Sequence, residues 1–151
     1  MGNLSFLFLN PVSFKLFNIT IISLIKLAKV TKISPDFEDK RGSISDIILG
    51  QTIKHVGIIT SKANSLRGSH YHKSSIQYNY VISGKLELKL KKAEEETAEI
   101  EKIILEPGDL VEIQPYVIHA LTAIEDSEFF VLTSEFRIDK DYENDTFRVD
   151  I

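Results

Sequence analysis

Residues Lys85–Lys91 read KLELKLK, the clearest alternation in the chain. Successive side chains of an extended strand point to opposite faces. Leu86, Leu88 and Leu90 therefore share one face, and Lys85, Glu87, Lys89 and Lys91 share the other. Such a strand has one buried face and one wet face. Short runs of the same kind surround it. Ile44–Leu49, Ile53–Thr60, Ser69–His72, Gln77–Ile82, Ile100–Leu105, Leu110–Ile113, Val117–Ala123 and Glu128–Thr133 are rich in β-branched and aromatic residues. Turn signals separate them, among them Ser83-Gly84 and Glu106-Pro107-Gly108-Asp109. No helix-period pattern of useful length occurs between residues 31 and 134. Short strands at this spacing predict an all-β sandwich or barrel. The charged tail Ser134–Ile151 is weakly patterned and is expected to add an edge strand or a dimer contact.

The chain has 151 residues, enough for one domain with a real core and too few for two ordinary ones. Its hydrophobic share of 43% and charged share of 26% are those of a soluble globular protein. The net charge of -4 is spread among interspersed acids and bases, which excludes the basic stripe of a nucleic-acid binder. Cysteine is absent, so disulfides, thiolate metal sites and a cysteine nucleophile are excluded. That absence fits a reducing cytoplasm, the expected location.

The first thirty residues differ from the rest. Residues 1–30 contain no acid and three lysines, and Leu4–Ile25 is mostly apolar. The stretch approaches the length of a membrane span, but Lys15 sits in its middle. Two readings stand: a start that truly lies near Val30, or a membrane-associated segment. Membrane contact is expected only through these residues. The folded domain is expected over residues 31–151.

Two of the four histidines, His70 and His72, lie two apart in RGSHYHKSSIQ, so an extended strand places them on one face. His119 follows in QPYVIHAL. If the fold carries it to the same face, three imidazoles share a pocket, which is the kind of cluster an active site needs. Gln77 and Asn79 alternate with Tyr78 and Tyr80, so an inward Gln77 turns both tyrosines away. His55, alone on its strand, is read as structural.

These motifs resemble those of the cupin superfamily, whose fold is the double-stranded β-helix or small jelly-roll barrel. Gly68, His70, His72 and Gly84 match its first motif, with Gln77 standing where a carboxylate is usual. Gly108, Asp109, Pro115 and His119 match its second. Arg67-Gly68-x-His70-x-His72-Lys73, followed by Gln77, is similar to the cupin 3,4-ketoisomerases of dTDP-4-keto-6-deoxyglucose. RGSHYH is also similar to the C-terminal cupin of a capsular-polysaccharide sugar reductase. Asp39-x-Arg41-Gly42 resembles an N-terminal motif of dTDP-sugar 3,5-epimerases. The ketoisomerases carry a tyrosine pair on the strand before the RG motif, where this chain has Lys54-His55-Val56-Gly57-Ile58. The resemblance implies a single cupin domain, a nucleotide-sugar ligand from surface-polysaccharide or glycan synthesis, and a homodimer.

Three chemistries are open to these residues. The first is isomerisation or epimerisation of a keto-deoxy nucleotide sugar by histidine acid–base catalysis, which requires no cofactor. His70 and His72 are then the bases, and Arg67, Lys73, Gln77, Asn79 and His119 bind substrate, Arg67 being suited to a bidentate diphosphate contact. The second is a divalent metal site for Zn, Fe, Mn or Ni, held by His70, His72, His119 and the neutral oxygen of Gln77. The third is a sugar-binding cupin with no catalysis, since a fold does not dictate activity.

Overall fold

The computed structural model describes residues 27–151. Twelve strands and one short helix follow one another in the order β1 Ala28–Lys32, β2 Phe37–Asp39, β3 Gly42–Ile44, β4 His55–Ser61, β5 Leu66–Tyr71, β6 Gln77–Ser83, β7 Leu86–Lys92, β8 Glu101–Leu105, β9 Asp109–Ile113, β10 Val117–Ala123, β11 Ser127–Thr133, α1 Asp139–Asn144 and β12 Phe147–Arg148. Two five-stranded antiparallel sheets face each other. The first has the order β1-β9-β6-β11-β4, the second β12-β5-β10-β7-β8, and β2-β3 forms a separate hairpin. This is the jelly-roll barrel expected from the motifs.

Alternation places the core as the sequence predicts. Leu86, Leu88 and Leu90 of β7 are fully buried and meet Val81, Val111, Ile113, Leu121 and Phe129 between the sheets. Burying each such side chain contributes about 1.5–3 kcal/mol relative to leaving it exposed. The charged faces of β7 and β8 point outward, where Lys102 lies 3.9 Å from Glu87. The turn Glu106–Asp109 closes on itself. The Asp109 N–H donates to the Glu106 carbonyl at 2.9 Å, and the Glu106 N–H donates to the Asp109 carboxylate at 2.8 Å.

Two expectations change, and one about the tail holds. The boundary drawn after Val30 falls inside β1, whose Ala28 is buried in the core and whose five residues pair with β9. The rest of the apolar N-terminal segment, residues 1–26, lies outside the described residues. Among the described residues no helix is long and apolar enough to cross a membrane. The strand expected over Ile44–Leu49 stops at Ile44. Its isoleucines have β propensity, but no neighbouring strand offers a ladder beyond Ile44, so the backbone leaves the sheet. The tail does supply an edge strand, β12 on β5. It also does something the sequence did not suggest, by crossing the end of the barrel over the histidines.

Candidate functional site

His70, on β5, pairs directly with His119 on β10. His72 follows one residue past the end of β5 on the same side. The three rings converge, with centroids 4.8 Å apart for His70 and His72, 4.6 Å for His70 and His119, and 5.5 Å for His72 and His119. Their candidate ligand atoms all lie within 4.8 Å of one another. All three side chains are buried.

A bulge in β5 builds one wall of this site. The register steps from His119↔His70 to Ala120↔Gly68, leaving Ser69 as an extra residue. Gly68 and Ser69 both have positive φ, at 86° and 62°. A Cβ on Gly68 would stand 2.8 Å from the His119 carbonyl oxygen, so this position needs glycine for space as well as for conformation. The bulge also resets the strand's phase. Arg67 is three residues before His70, and simple alternation would put it on the opposite face. The extra residue returns it to the cavity side, opposite Leu121. Its guanidinium is anchored to the Thr60 carbonyl at 3.0 Å and to Ser61 Oγ at 3.3 Å.

The second sheet's histidines face β6 of the first. Gln77 and Asn79 are buried and line the same cavity, with Gln77 Nε2 3.4 Å from Asn79 Oδ1. Tyr78 and Tyr80 fall on the other face, as alternation requires. His55 stays on β4, outside the cluster, in its structural place.

The remaining wall comes from the tail. From Ser134 the chain spans the end of the barrel to reach β12. It is fastened at one end by Ser134, which exchanges hydrogen bonds with the backbone of Ile76 at 3.0 and 2.9 Å. At the other end Val149 bonds the backbone and hydroxyl of Ser69 at 3.0 and 2.7 Å. The Asp145 carboxylate accepts the backbone N–H groups of Lys73, Ser74 and Ser75 at 2.8, 3.1 and 3.0 Å. Between these anchors, Arg137 lies 4.3 Å from the Tyr142 ring centroid, and Tyr142 sits 6.5 Å from the His70 ring and 6.3 Å from the His72 ring. Arg137, Tyr142 and Arg148 join Arg67, His70, Gln77, Asn79 and His119 around a cavity of about 310 Å³. An adjoining cavity of about 410 Å³ reaches His72, Ser75 and Asp145. Arg137 and Tyr142 line both.

Sequence reasoning did not find Arg137, Tyr142, Asp145 or Arg148. They lie in a segment with no period, and only the crossing of the tail brings them to the histidines. One expected residue is not in the site. Lys73 is exposed, and its ammonium rests 4.2 Å from the Phe147 ring centroid, against the stack of Phe147, Tyr71 and Tyr116 outside the barrel. Alternation explains this, because His72 points inward and its neighbours point out.

The electrostatics are one-sided. Burial, then the neighbouring His72, pushes the His70 pKa down to about 4. Burial, then His70, pushes that of His119 down to about 3. Burial also lowers His72, partly offset by the Asp145 carbonyl and carboxylate. The Arg137 charge acts in the same direction on all three. At neutral pH the imidazoles are therefore neutral. His72 Nδ1 donates to the Asp145 carbonyl at 2.6 Å and His119 Nδ1 to the Val117 carbonyl at 3.0 Å. Each Nε2 is buried without a hydrogen-bond partner among the described residues. With the proton held on Nδ1, the Nε2 atoms of His72 and His119 each keep a free lone pair. The lining of the first cavity holds Arg67, Arg137 and Arg148, the last paired with the Glu143 carboxylate at 2.9 and 3.0 Å, while the adjoining cavity at His72 includes Glu135 and Asp145. Arg67 and Arg137 favour an anion in the first cavity, which His70 and His119 line, and His72 lines the second.

Fold and site together define a cupin-type barrel with three buried histidines at its centre. Residues 37–147 match the polysaccharide biosynthesis C-terminal domain, and the chain belongs to that family. No curated protein matches it. Among solved structures it is similar to a 3,4-ketoisomerase from Helicobacter canadensis, with TM-score 0.67 and 22% identity over 81% of this chain and 90% of that one. It is similar to a TDP-quinovose 3,4-ketoisomerase from Campylobacter jejuni, with TM-score 0.67 and 24% identity over 83% and 95%. An epimerase from Mycobacterium tuberculosis gives TM-score 0.68 and 15% identity over 83% and 70%. These likenesses establish the shared fold.

Proposed function

We propose that this protein isomerises or epimerises a keto-deoxy nucleotide sugar, by proton transfer at a carbon next to the sugar carbonyl. The observation that carries this reading is the cluster of three neutral, buried imidazoles beside two cavities that share Arg137 and Tyr142. Arginine pairs bidentately with phosphate oxygens, and Arg137 and Arg67 supply that contact for a diphosphate, Arg148 being held by the Glu143 carboxylate. A neutral His70 or His72 takes the proton from the carbon beside the carbonyl. The electron pair of the broken C–H bond moves into the ring to give an enolate. Returning the proton to the opposite face of that carbon inverts it. Returning one to the former carbonyl carbon, with loss of the neighbouring hydroxyl proton, moves the ketone. Tyr142, beside both histidines, is the hydroxyl placed to exchange a proton with the sugar oxygen. His119, Gln77 and Asn79 hold the ring. The family and the ketoisomerase and epimerase neighbours support this substrate class.

A second reading is favoured by the unpartnered Nε2 atoms. Three imidazole nitrogens, those of His72 and His119 with Nδ1 engaged by a backbone carbonyl, suit a divalent ion such as Zn, Fe, Mn or Ni. His70, His72 and His119 would hold it, with the Gln77 amide oxygen as a neutral fourth donor. When bound, such an ion supplies Lewis-acid polarisation of a carbonyl. The residues fit this group, and Gln77 in place of a carboxylate weakens its hold.

The test is solvent-proton exchange. The purified protein is incubated in D₂O with a panel of dTDP- and UDP-4-keto-6-deoxy sugars, with and without a chelator, after metal analysis. Deuterium should enter beside the carbonyl, and H70N should slow this by about 10²-fold or more. Binding of the sugars without any exchange would leave a non-catalytic sugar-binding cupin. Exchange that stops on chelation and returns with added metal would favour the second reading.

A further inference from the structure

Asn79 sits in the middle of β6, and its row across the first sheet reads Gly57, Val131, Asn79, Val111 and Val30. Val81, the next residue on the same face, is fully buried. None of these side chains can accept a hydrogen bond. Asn79 itself is 0% exposed. Its Oδ1 accepts from Gln77 Nε2 at 3.4 Å, and its Nδ2 has no hydrogen-bond partner among the described residues. Burying an amide N–H without an acceptor is costly, and folded chains hold few such groups. For packing alone, an apolar side chain would suit this row better. The amide lines the cavity of about 310 Å³ from the first sheet, and His70 and His119 line it from the second. A ring lying between the sheets therefore meets imidazole on one side and the amide on the other. Four buried side-chain atoms of the described residues lack a partner, the three imidazole Nε2 atoms and Asn79 Nδ2. With His72 and His119 protonated at Nδ1, their Nε2 atoms accept, whereas Asn79 Nδ2 donates. The complementary ligand brings a hydroxyl to an imidazole and an acceptor oxygen to the amide. A hydroxyl next to a carbonyl is such a pair.

On the proton-transfer reading of this cavity, we infer that Asn79 is its oxyanion donor: Nδ2 hydrogen-bonds the carbonyl oxygen of the sugar and holds the charge that this oxygen gains in the enolate. His70 or His72 takes the proton as the C–H bond breaks. The electron pair of that bond forms the new C=C bond, and the carbonyl π pair moves onto oxygen. The oxygen becomes a stronger acceptor, so the Nδ2 contact tightens as the charge forms, and an interaction that grows in the transition state lowers the barrier. The amide is already in place and dry, so it needs no reorganisation at that moment. It does not ionise near neutral pH and gives up no proton. Proton exchange with the sugar oxygens stays with Tyr142, and the two residues divide the work.

Two measurements on the chelator-treated full chain test this. Asn79→Val makes the row apolar throughout. It should slow deuterium entry beside the carbonyl of a responsive 4-keto sugar by about 10²–10³-fold, with KM changed far less. Side-chain nitrogen–proton NMR spectra of the labelled parent chain read the contact without turnover. The Asn79 NH₂ pair is assigned by its loss in N79V. It should move further downfield with dTDP-4-keto-6-deoxyglucose than with dTDP-glucose, which carries a hydroxyl in place of the ketone. Exchange in N79V at the parent's rate removes Asn79 as the oxyanion donor and leaves the proton-transfer reading standing. A parent chain that exchanges no sugar, but whose Asn79 pair moves with the ketone, removes the proton-transfer reading and keeps the carbonyl on Asn79. An Asn79 pair that responds equally to ketone and hydroxyl, or to neither, overturns the inference whatever the rates.

Discussion

The Nδ1 of His72 lies 2.6 Å from the backbone carbonyl oxygen of Asp145, seventy-three positions along the chain. The same Asp145 receives three successive backbone N–H groups from Lys73–Ser75 on its carboxylate. One tail residue thus fixes the tautomer of a site histidine and the loop that follows it.

Asp145→Ala should therefore cost more than a surface substitution. Three hydrogen bonds to a charged, partly buried acceptor are lost together, and an expected destabilisation of about 2 kcal/mol or more follows. Urea unfolding checks the loss. Asp145→Asn, which keeps one acceptor oxygen, should fall between the two. A D145A chain as stable as the parent would show that the tail is not fastened here.

Tyr142 and Arg137 should separate kinetically. Tyr142→Phe keeps the ring over Arg137 and removes only the hydroxyl, so kcat on a responsive 4-keto sugar should fall by about 10²-fold with KM little changed. Arg137→Ala should raise KM by about tenfold, equal to about 1.4 kcal/mol, and Arg137→Lys should restore little because an ammonium cannot make the paired contact. Steady-state kinetics of both variants decide, and an unaltered KM in R137A would remove Arg137 from the diphosphate contact.

Gln77→Glu tests the donor set. A carboxylate facing three imidazoles supplies the anionic oxygen that divalent ions prefer, so zinc affinity in competition with a chromophoric chelator should rise at least about tenfold. Equal affinities in the two proteins would mean that position 77 does not reach the ion.

Acid should destabilise the metal-free fold in a defined window. The ordinary histidine pKa is 6.5, and the fold holds His70 at about 4 and His119 at about 3. The unfolded chain therefore binds protons that the folded chain refuses. Stability is complete above about pH 6.5 and falls as pH drops towards 4, because the unfolded state gains protons there. Each tenfold loss of proton affinity on folding is worth about 1.4 kcal/mol, so His70 alone accounts for a loss on the order of 2–3 kcal/mol. Urea midpoints of chelator-treated protein between pH 7 and 4 measure it. A flat profile would mean that the imidazoles are not held neutral.

Much of this molecule is legible in local strand geometry. Strand period 2 predicted the shared buried face of Leu86, Leu88 and Leu90, the common face of His70 and His72, and the placement of Gln77 and Asn79 on the face opposite Tyr78 and Tyr80; the fold decided which of those two faces turns inward. The local pattern misled at Ile44–Leu49, where propensity had no partner strand to satisfy. At Lys73 the family motif pointed to the pocket, and alternation turned the ammonium away from it. The tertiary structure alone decided the rest. Pairing of β10 with β5 brought His119 to His70 across forty-nine positions. A one-residue bulge at Ser69 returned Arg67 to the cavity side. The tail laid Arg137, Tyr142, Asp145 and Arg148 over the histidines, though nothing in its pattern marks them. A strand declares its own faces through its period. A segment held by scattered hydrogen bonds to distant backbone acquires its place only when those partners are assembled.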